Sequence, residues 1–178
     1  MASPLQIRPF ETARMRVVPL RLRPGDDLRQ ALESWMAQQN ERAGCVISAI
    51  GSLSTAQVRF AGRDDITAIA GELEILSLAG TLSPDGAHLH IAIADGRGAV
   101  SGGHLCAGSL VRTTAELVVG LLPDWEFRRA FDAETGSAEL VVTQQRDDHS
   151  PQINAIPQLL DVRLVMEVSE VSDGEIGR

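Results

Sequence analysis

The 178-residue sequence contains no lysine and no tyrosine, only two cysteines, and aromatic residues at just 3%. Without lysine there is no Schiff-base amine and no phosphate-loop ammonium; without tyrosine there is no phenolic acid. Cys45 and Cys106 lie in a chain long enough to bury a core, so no disulfide framework is needed. Both thiols are expected to be buried, in a reducing compartment. No apolar run reaches the roughly 18–20 residues that a bilayer requires, and the opening MASPLQIRPF lacks a secretory apolar stretch. The expectation is a soluble, cytoplasmic protein with no membrane partner.

All sixteen basic residues are therefore arginine, against 24 acids, for a formal net charge of −8. That charge repels polyanions at long range and argues against unaided nucleic-acid binding. The local exception is an arginine-rich start, Arg8, Arg14, Arg16, Arg21 and Arg23, which reads either as a phosphate-contacting arm or as a solvated strand face. The body is 44% hydrophobic and 22% charged, a composition that folds. Its length suits one domain with some excess at the ends.

Residues 14–23 alternate Val18, Leu20 and Leu22 with arginines and predict a first strand. After RPGDD, with Asp26 as N-cap, Leu28, Ala31, Leu32, Trp35 and Met36 follow at helical spacing. An amphipathic helix of about four turns over residues 26–42 is expected, closed by Gly44, with Trp35 and Met36 as core. The segments 45–50, 55–60, 72–82, 88–94 and 110–122 are rich in strand formers and separated by Gly, Asp, Pro and Ser. Residues 125–144 read as a hairpin turning at DAETG. One helix and about seven or more strands give an α+β domain with a mainly antiparallel sheet. Residues 1–13 form an N-terminal arm and 14–144 the domain. Residues 145–178 form a C-terminal arm with an extra edge strand near 160–169, free to pair within its subunit or with a neighbour.

Three of the four histidines fall in HLHIAIADGRGAVSGGHL, residues 88–105. On a strand, His88 and His90 point to one side, roughly 6.5–7 Å apart at Cα, close enough to share an ion. His104 is the candidate third ligand, and register decides whether it serves. A two-residue loop at Gly96–Arg97 would set His104 opposite Leu89, on the wrong side. A three-residue loop, Gly96-Arg97-Gly98 with Gly98 left-handed, would set it opposite His90. A bulge at Gly102–Gly103 would reach the same result. A His₃ set with one open position is the pattern of catalytic zinc, other divalent metals being possible, and Cys106 is an alternative ligand. Otherwise the pair is polar decoration on a strand. Candidate acid–base partners are Glu74, Arg112 and Glu116. Arg112, Thr114 and Glu116 share one strand face, and if that face is buried the two charges need each other or a ligand.

The blocks GSLSTAQVRF (51–60), GELEILSLAGTL (71–82), HLHIAIADGRGAVSGGHL (88–105) and VRTTAELVV (111–119) resemble, in order, the PPC domain (plants and prokaryotes conserved) of bacterial type. DAETG followed by LVV fits the end of that domain. The resemblance implies an α+β domain assembled as a homotrimer. Plant members carry AT-hooks and the DNA-binding name; this chain has no RGRP-like core, and it reads GELEIL where plant members read GRFEIL. The fold is also similar to acetolactate decarboxylase, whose zinc is held by an HxH pair and a later histidine. His88, His90 and His104 would match that set, and any chemistry would be lyase-like by analogy. Two functions follow as expectations. One is a zinc protein that binds or transforms a small oxygenated molecule. The other is an oligomerisation or regulatory module without catalysis.

Overall fold

The computed structural model describes residues 14–145, a helix and eight strands. The expected arm over 1–13, with Arg8, and the expected C-terminal arm and edge strand fall outside the described residues. Strand β1 (Arg16–Leu22) leads to helix α1 (Leu28–Met36), then β2 (Gly44–Arg59), β3 (Ile66–Ser83), β4 (Gly86–Ala94), β5 (Val100–Leu105) and β6 (Leu110–Leu121). A hairpin of β7 (Trp125–Asp132) and β8 (Ser137–Gln144) follows. The first six strands form one antiparallel sheet in the order β1-β6-β2-β3-β4-β5. At its far edge β5 curls back to pair Val58 with Leu105 and Arg59 with His104, so β2 to β5 close on themselves at one end.

Sequence and structure part company at the helix. Asp27, not Asp26, is the N-cap: its carboxylate accepts from the N–H groups of Arg29 and Gln30, at 3.0 and 3.1 Å, and from Gly108. Asp26 instead closes the preceding turn, accepting from the Arg23 N–H at 2.7 Å. The helix stops at Met36, well short of Gly44. Beyond it the N–H groups of Gln38 and Gln39 turn to Trp35 and Met36, and their side-chain amides take the carbonyls of Ser34 and Trp35. Local glutamine bonds thus end the helix where the apolar stripe ends.

Residues 45–50 and 55–60, expected as two strands, are one irregular strand. Its ladder slips at three points along β6. Ser52, which reads as a break, is buried and shares a hydrogen bond of 2.6 Å with the Thr113 hydroxyl. Strand β3 begins at Ile66, six residues before the apolar run suggests, because Ile66–Ala70 pair with the end of β2.

The core lies between one face of the sheet and α1. Leu28, Leu32 and Met36 are buried against Val46, Leu53, Leu82, Leu89, Val119 and Leu121. Along β4 the alternation is strict: Ala87, Leu89, Ile91 and Ile93 are buried while His88 and His90 face outward. The hydrophobic burial of four inward side chains fixes which side the histidines take. Trp35 is partly buried against the same core. Cys106 is buried and Cys45 only half-buried. Among the described residues no helix is long and apolar enough to cross a membrane.

Candidate metal centre

The turn between β4 and β5 decides the register. Asp95 N–H donates to Ala99 O at 3.0 Å, and Gly98 N–H donates back to Asp95 O at 2.9 Å. The loop is therefore the three residues Gly96, Arg97 and Gly98, with Gly98 at φ +81, the left-handed region open to glycine. The Asp95 carboxylate stiffens it by accepting from the N–H groups of Arg97 and Ala99, both at 2.9 Å. Asp95 thus faces Ala99, and five pairs further His90 stands directly opposite His104. The two glycines before His104 let the backbones close in: a Cβ on Gly102 would lie 2.2 Å from Ile91 O, and one on Gly103 2.7 Å from Arg59 O.

The result is one cluster. Each of His88, His90 and His104 offers a ring nitrogen, and the three lie within 4.8 Å of one another. His88 Nε2 and His90 Nε2 are 3.3 Å apart. Two nitrogens bound tetrahedrally to zinc at roughly 2.0–2.1 Å are about 3.3–3.4 Å apart, so this pair already has the spacing of a ligand edge. His104 Nδ1 is buried with no hydrogen-bond partner, a costly state for a ring nitrogen. Burial first, then the neighbouring His88 and Arg29, push His104 down to about 4, and burial with Arg129 lowers His88. Both rings are held in the neutral form that a metal ligand must have. Three imidazoles and an open side fit zinc. Cys106 stands outside the cluster, its thiol turned to the His104 carbonyl at 3.7 Å.

Around the rings lie residues that spacing along the chain did not identify. Arg29, from α1, donates through Nε to Glu33 at 2.9 Å, through Nη2 to Ala87 O at 2.8 Å and through Nη1 to Leu105 O at 2.7 Å. The same Nη1 lies 3.2 Å from His104 Nε2. From the hairpin, Arg129 reaches the Thr81 hydroxyl at 3.1 Å. A cavity of about 620 Å³ is bordered by Arg29, Arg59, His88, His104, Arg129 and Glu139. A second, of about 350 Å³, is bordered by Ala79, Thr81, His88, His90, Arg129 and Leu140. The Arg29–Glu33 spacing of four on a helix was the one local signal for any of these; the others meet only through the fold.

The three acid–base candidates are placed elsewhere. Glu74 is exposed on β3 opposite Ala94. Arg112 and Glu116 do share an outward face of β6, but that face is exposed, and Arg112 pairs with Glu72 rather than Glu116. Glu116 borders a different cavity, of about 470 Å³, with Pro19, Arg21 and Ile50. Between β6 and β4 lie β2 and β3, which puts three strand spacings, roughly 14 Å, between their lines. Within the chain none of the three borders either cavity beside the histidines. Of the arginine-rich start, Arg14 pairs with Asp124 at 2.6 Å and Arg16 with Glu41 at 2.8 Å.

The model of the Plants and Prokaryotes Conserved domain matches residues 10–123, well over half of the chain. The chain belongs to this PPC family. The match ends just before the β7–β8 hairpin, which supplies Arg129 and Glu139 to the histidine cavities. A crystal structure of a hypothetical protein from Salmonella shares 38% identity, covers 76% of this chain and 99% of that one, and superposes with a TM-score of 0.74. A protein from Archaeoglobus fulgidus described as metal-containing shares 27% identity over 74% of this chain and 99% of its own, with a TM-score of 0.61. The bifunctional protein GlmU of a Synechococcus strain is 45% identical over 144 residues, which is 81% of this chain. This PPC chain spans under a quarter, 23%, of that longer relative. Structures from Bacteroides thetaiotaomicron and Ralstonia eutropha, provisionally named as DNA-binding proteins, share 17% and 24% identity, a likeness of fold alone.

Proposed function

We propose that this PPC protein is a homotrimer that holds zinc on His88, His90 and His104 and binds or transforms a small oxygenated molecule beside it. The observation that carries the reading is the meeting of three imidazoles from two paired strands, one of them with a buried, unpartnered nitrogen. The metal-containing description of the Archaeoglobus relative points the same way. When bound, zinc supplies a Lewis acid for an oxygen ligand. The chain's own residues do the rest. Arg29 and Arg129 carry N–H donors to the cavity rim, Thr81 offers a hydroxyl, and Ala79 with Leu140 gives an apolar wall that sheds water. Any reaction at such a site is lyase-like by the analogy with acetolactate decarboxylase.

Trimer formation is supported by an apolar surface on the β1–β6–β2 part of the sheet. Met15 and Ile47 converge over Gly120, and with Ile50 nearby each is about half exposed in the single chain, at 50%, 49% and 58%. A cytoplasmic setting suits the unpaired thiols.

The second reading, a regulatory module without chemistry, draws support from the GlmU relatives, in which the matching segment is part of a longer chain. The DNA-binding name of the distant structures finds little support here: Arg14 and Arg16 are spent on acids, and the chain is net negative. Metal analysis separates the two readings. Purified protein equilibrated with zinc and desalted is expected to retain close to one ion per chain, and its mass in solution to be three times that of the chain. Metal-free protein after this treatment would leave only the module.

A further inference from the structure

Arg29 and a metal ion compete for His104. A guanidinium can only donate, so its contact of 3.2 Å makes His104 Nε2 the acceptor and leaves the ring proton on the buried Nδ1. A metal on Nε2 takes the same lone pair. A metal on Nδ1 forces the proton to Nε2 and sets two donors against each other. On either nitrogen, metal binding ends the Arg29–His104 hydrogen bond. Arg29 cannot simply withdraw, because Glu33, Ala87 and Leu105 hold it in place. Its freed N–H and its charge then face the ion.

The rest of the cavity does not offset the ion's charge. Its border carries Arg29, Arg59 and Arg129 against Glu33, Asp85 and Glu139, three of each sign. Glu33 accepts from Arg29 and the Ala87 N–H; Asp85 and Glu139 accept only from neutral donors, the Arg129 backbone N–H and the Thr135 hydroxyl, so their charges are left to balance those of Arg59 and Arg129. The Arg129 guanidinium has one partner, Thr81, and that of Arg59 has none among the described residues. A divalent ion held by three neutral rings therefore leaves this balanced border with two positive charges in excess, in a cavity with spare guanidinium donors.

We propose that the centre takes its metal together with a small oxyanion, a carboxylate or phosphate that fills the open coordination side and accepts hydrogen bonds from Arg59 and Arg129. This rests on the three-histidine metal reading and names the class of molecule that the site admits. Linkage makes the coupling reciprocal: the anion tightens the metal as much as the metal tightens the anion.

The test is cobalt(II) titration of the metal-free protein, followed by its visible absorption, in chloride alone, with acetate, and with inorganic phosphate. Cobalt affinity is expected to rise at least tenfold with one of the two anions, which identifies the carboxylate or the phosphate source. The paired variant R59Q/R129Q should still bind cobalt in chloride and lose that rise. Equal affinity in all three media, with His90→Ala abolishing binding, overturns the coupling and leaves the metal site standing. A rise that persists in R59Q/R129Q overturns the arginine assignment. Wild-type protein that binds no more cobalt than His90→Ala overturns the metal reading and this proposal with it.

Discussion

Gly102→Ala moves a metal ligand without touching one. The Cβ would sit 2.2 Å from Ile91 O and 3.1 Å from Ala92 Cα, both backbone atoms of the neighbouring strand. Carbon and carbonyl oxygen rest at no less than about 3.2 Å, so β5 must retreat from β4 by about 1 Å at this point. Over-packing of this kind costs about 1–3 kcal/mol. For a chain of this size the melting temperature then falls by roughly 2–12 °C. His104 is two residues away on the displaced strand and pairs with His90 across the same ladder. Ligand sets tolerate errors of only about 0.5 Å, so zinc affinity should fall at least tenfold. Thermal melting and a competitive zinc-chelator titration read the two effects, with Gly96→Ala as the control, since nothing lies within 4 Å of that Cβ. A Gly102→Ala protein that melts within a degree of wild type and binds zinc equally well would show that the close strand approach does not position the site.

Leu89→Ala removes a fully buried side chain between the two histidines of β4 and should cost about 2–5 kcal/mol in a denaturant titration; a smaller loss would mean that β4 is not anchored by its inward face. In the metal-free protein the folded His104 titrates near 4 and the unfolded ring near 6.5, so the unfolded state takes its proton first. Stability should therefore fall as pH drops from about 6.5 toward about 4, less steeply in His104→Gln, and a flat profile in the wild type would contradict the burial of that ring. Asp27→Ala removes acceptors for three backbone N–H groups, in α1 and at Gly108, and should cost at least about 1–2 kcal/mol with a shortened helix by circular dichroism. Arg112→Ala breaks only an exposed ion pair with Glu72, so stability should change by less than about 1 kcal/mol and zinc binding not at all; lost zinc would place that residue at the centre.

What the chain disclosed in one dimension was whatever depends on near neighbours. The alternation of β4 places Leu89 inside and His90 outside, and the spacing of Gly96, Arg97 and Gly98 allows the register that sets His90 against His104. The helix ends before its apolar pattern predicts, because an apolar stripe gives a helix its face but not its end, which Gln38 and Gln39 settle with their own amides. Strand β2 looked like two because Gly51 and Ser52 resemble a turn. In the fold, Gly51 at φ +134 lets the Thr114 carbonyl approach and Ser52 finds Thr113. The closure of β5 onto β2, and the convergence of Arg29, Arg59 and Arg129 on the histidines, join residues up to a hundred positions apart, and no local pattern carries them. Glu74, Arg112 and Glu116 drew attention as charges within strands. In the single chain their strand faces are exposed, and the partner of Arg112 is Glu72 rather than Glu116.

The count of imidazoles around a bound zinc ion tests the account most directly. X-ray absorption on the zinc-loaded protein should give three histidine nitrogens at about 2.0–2.1 Å plus an oxygen ligand, and two nitrogens in His104→Ala. A spectrum unaltered by that substitution, or one built from sulfur or oxygen alone, would contradict it.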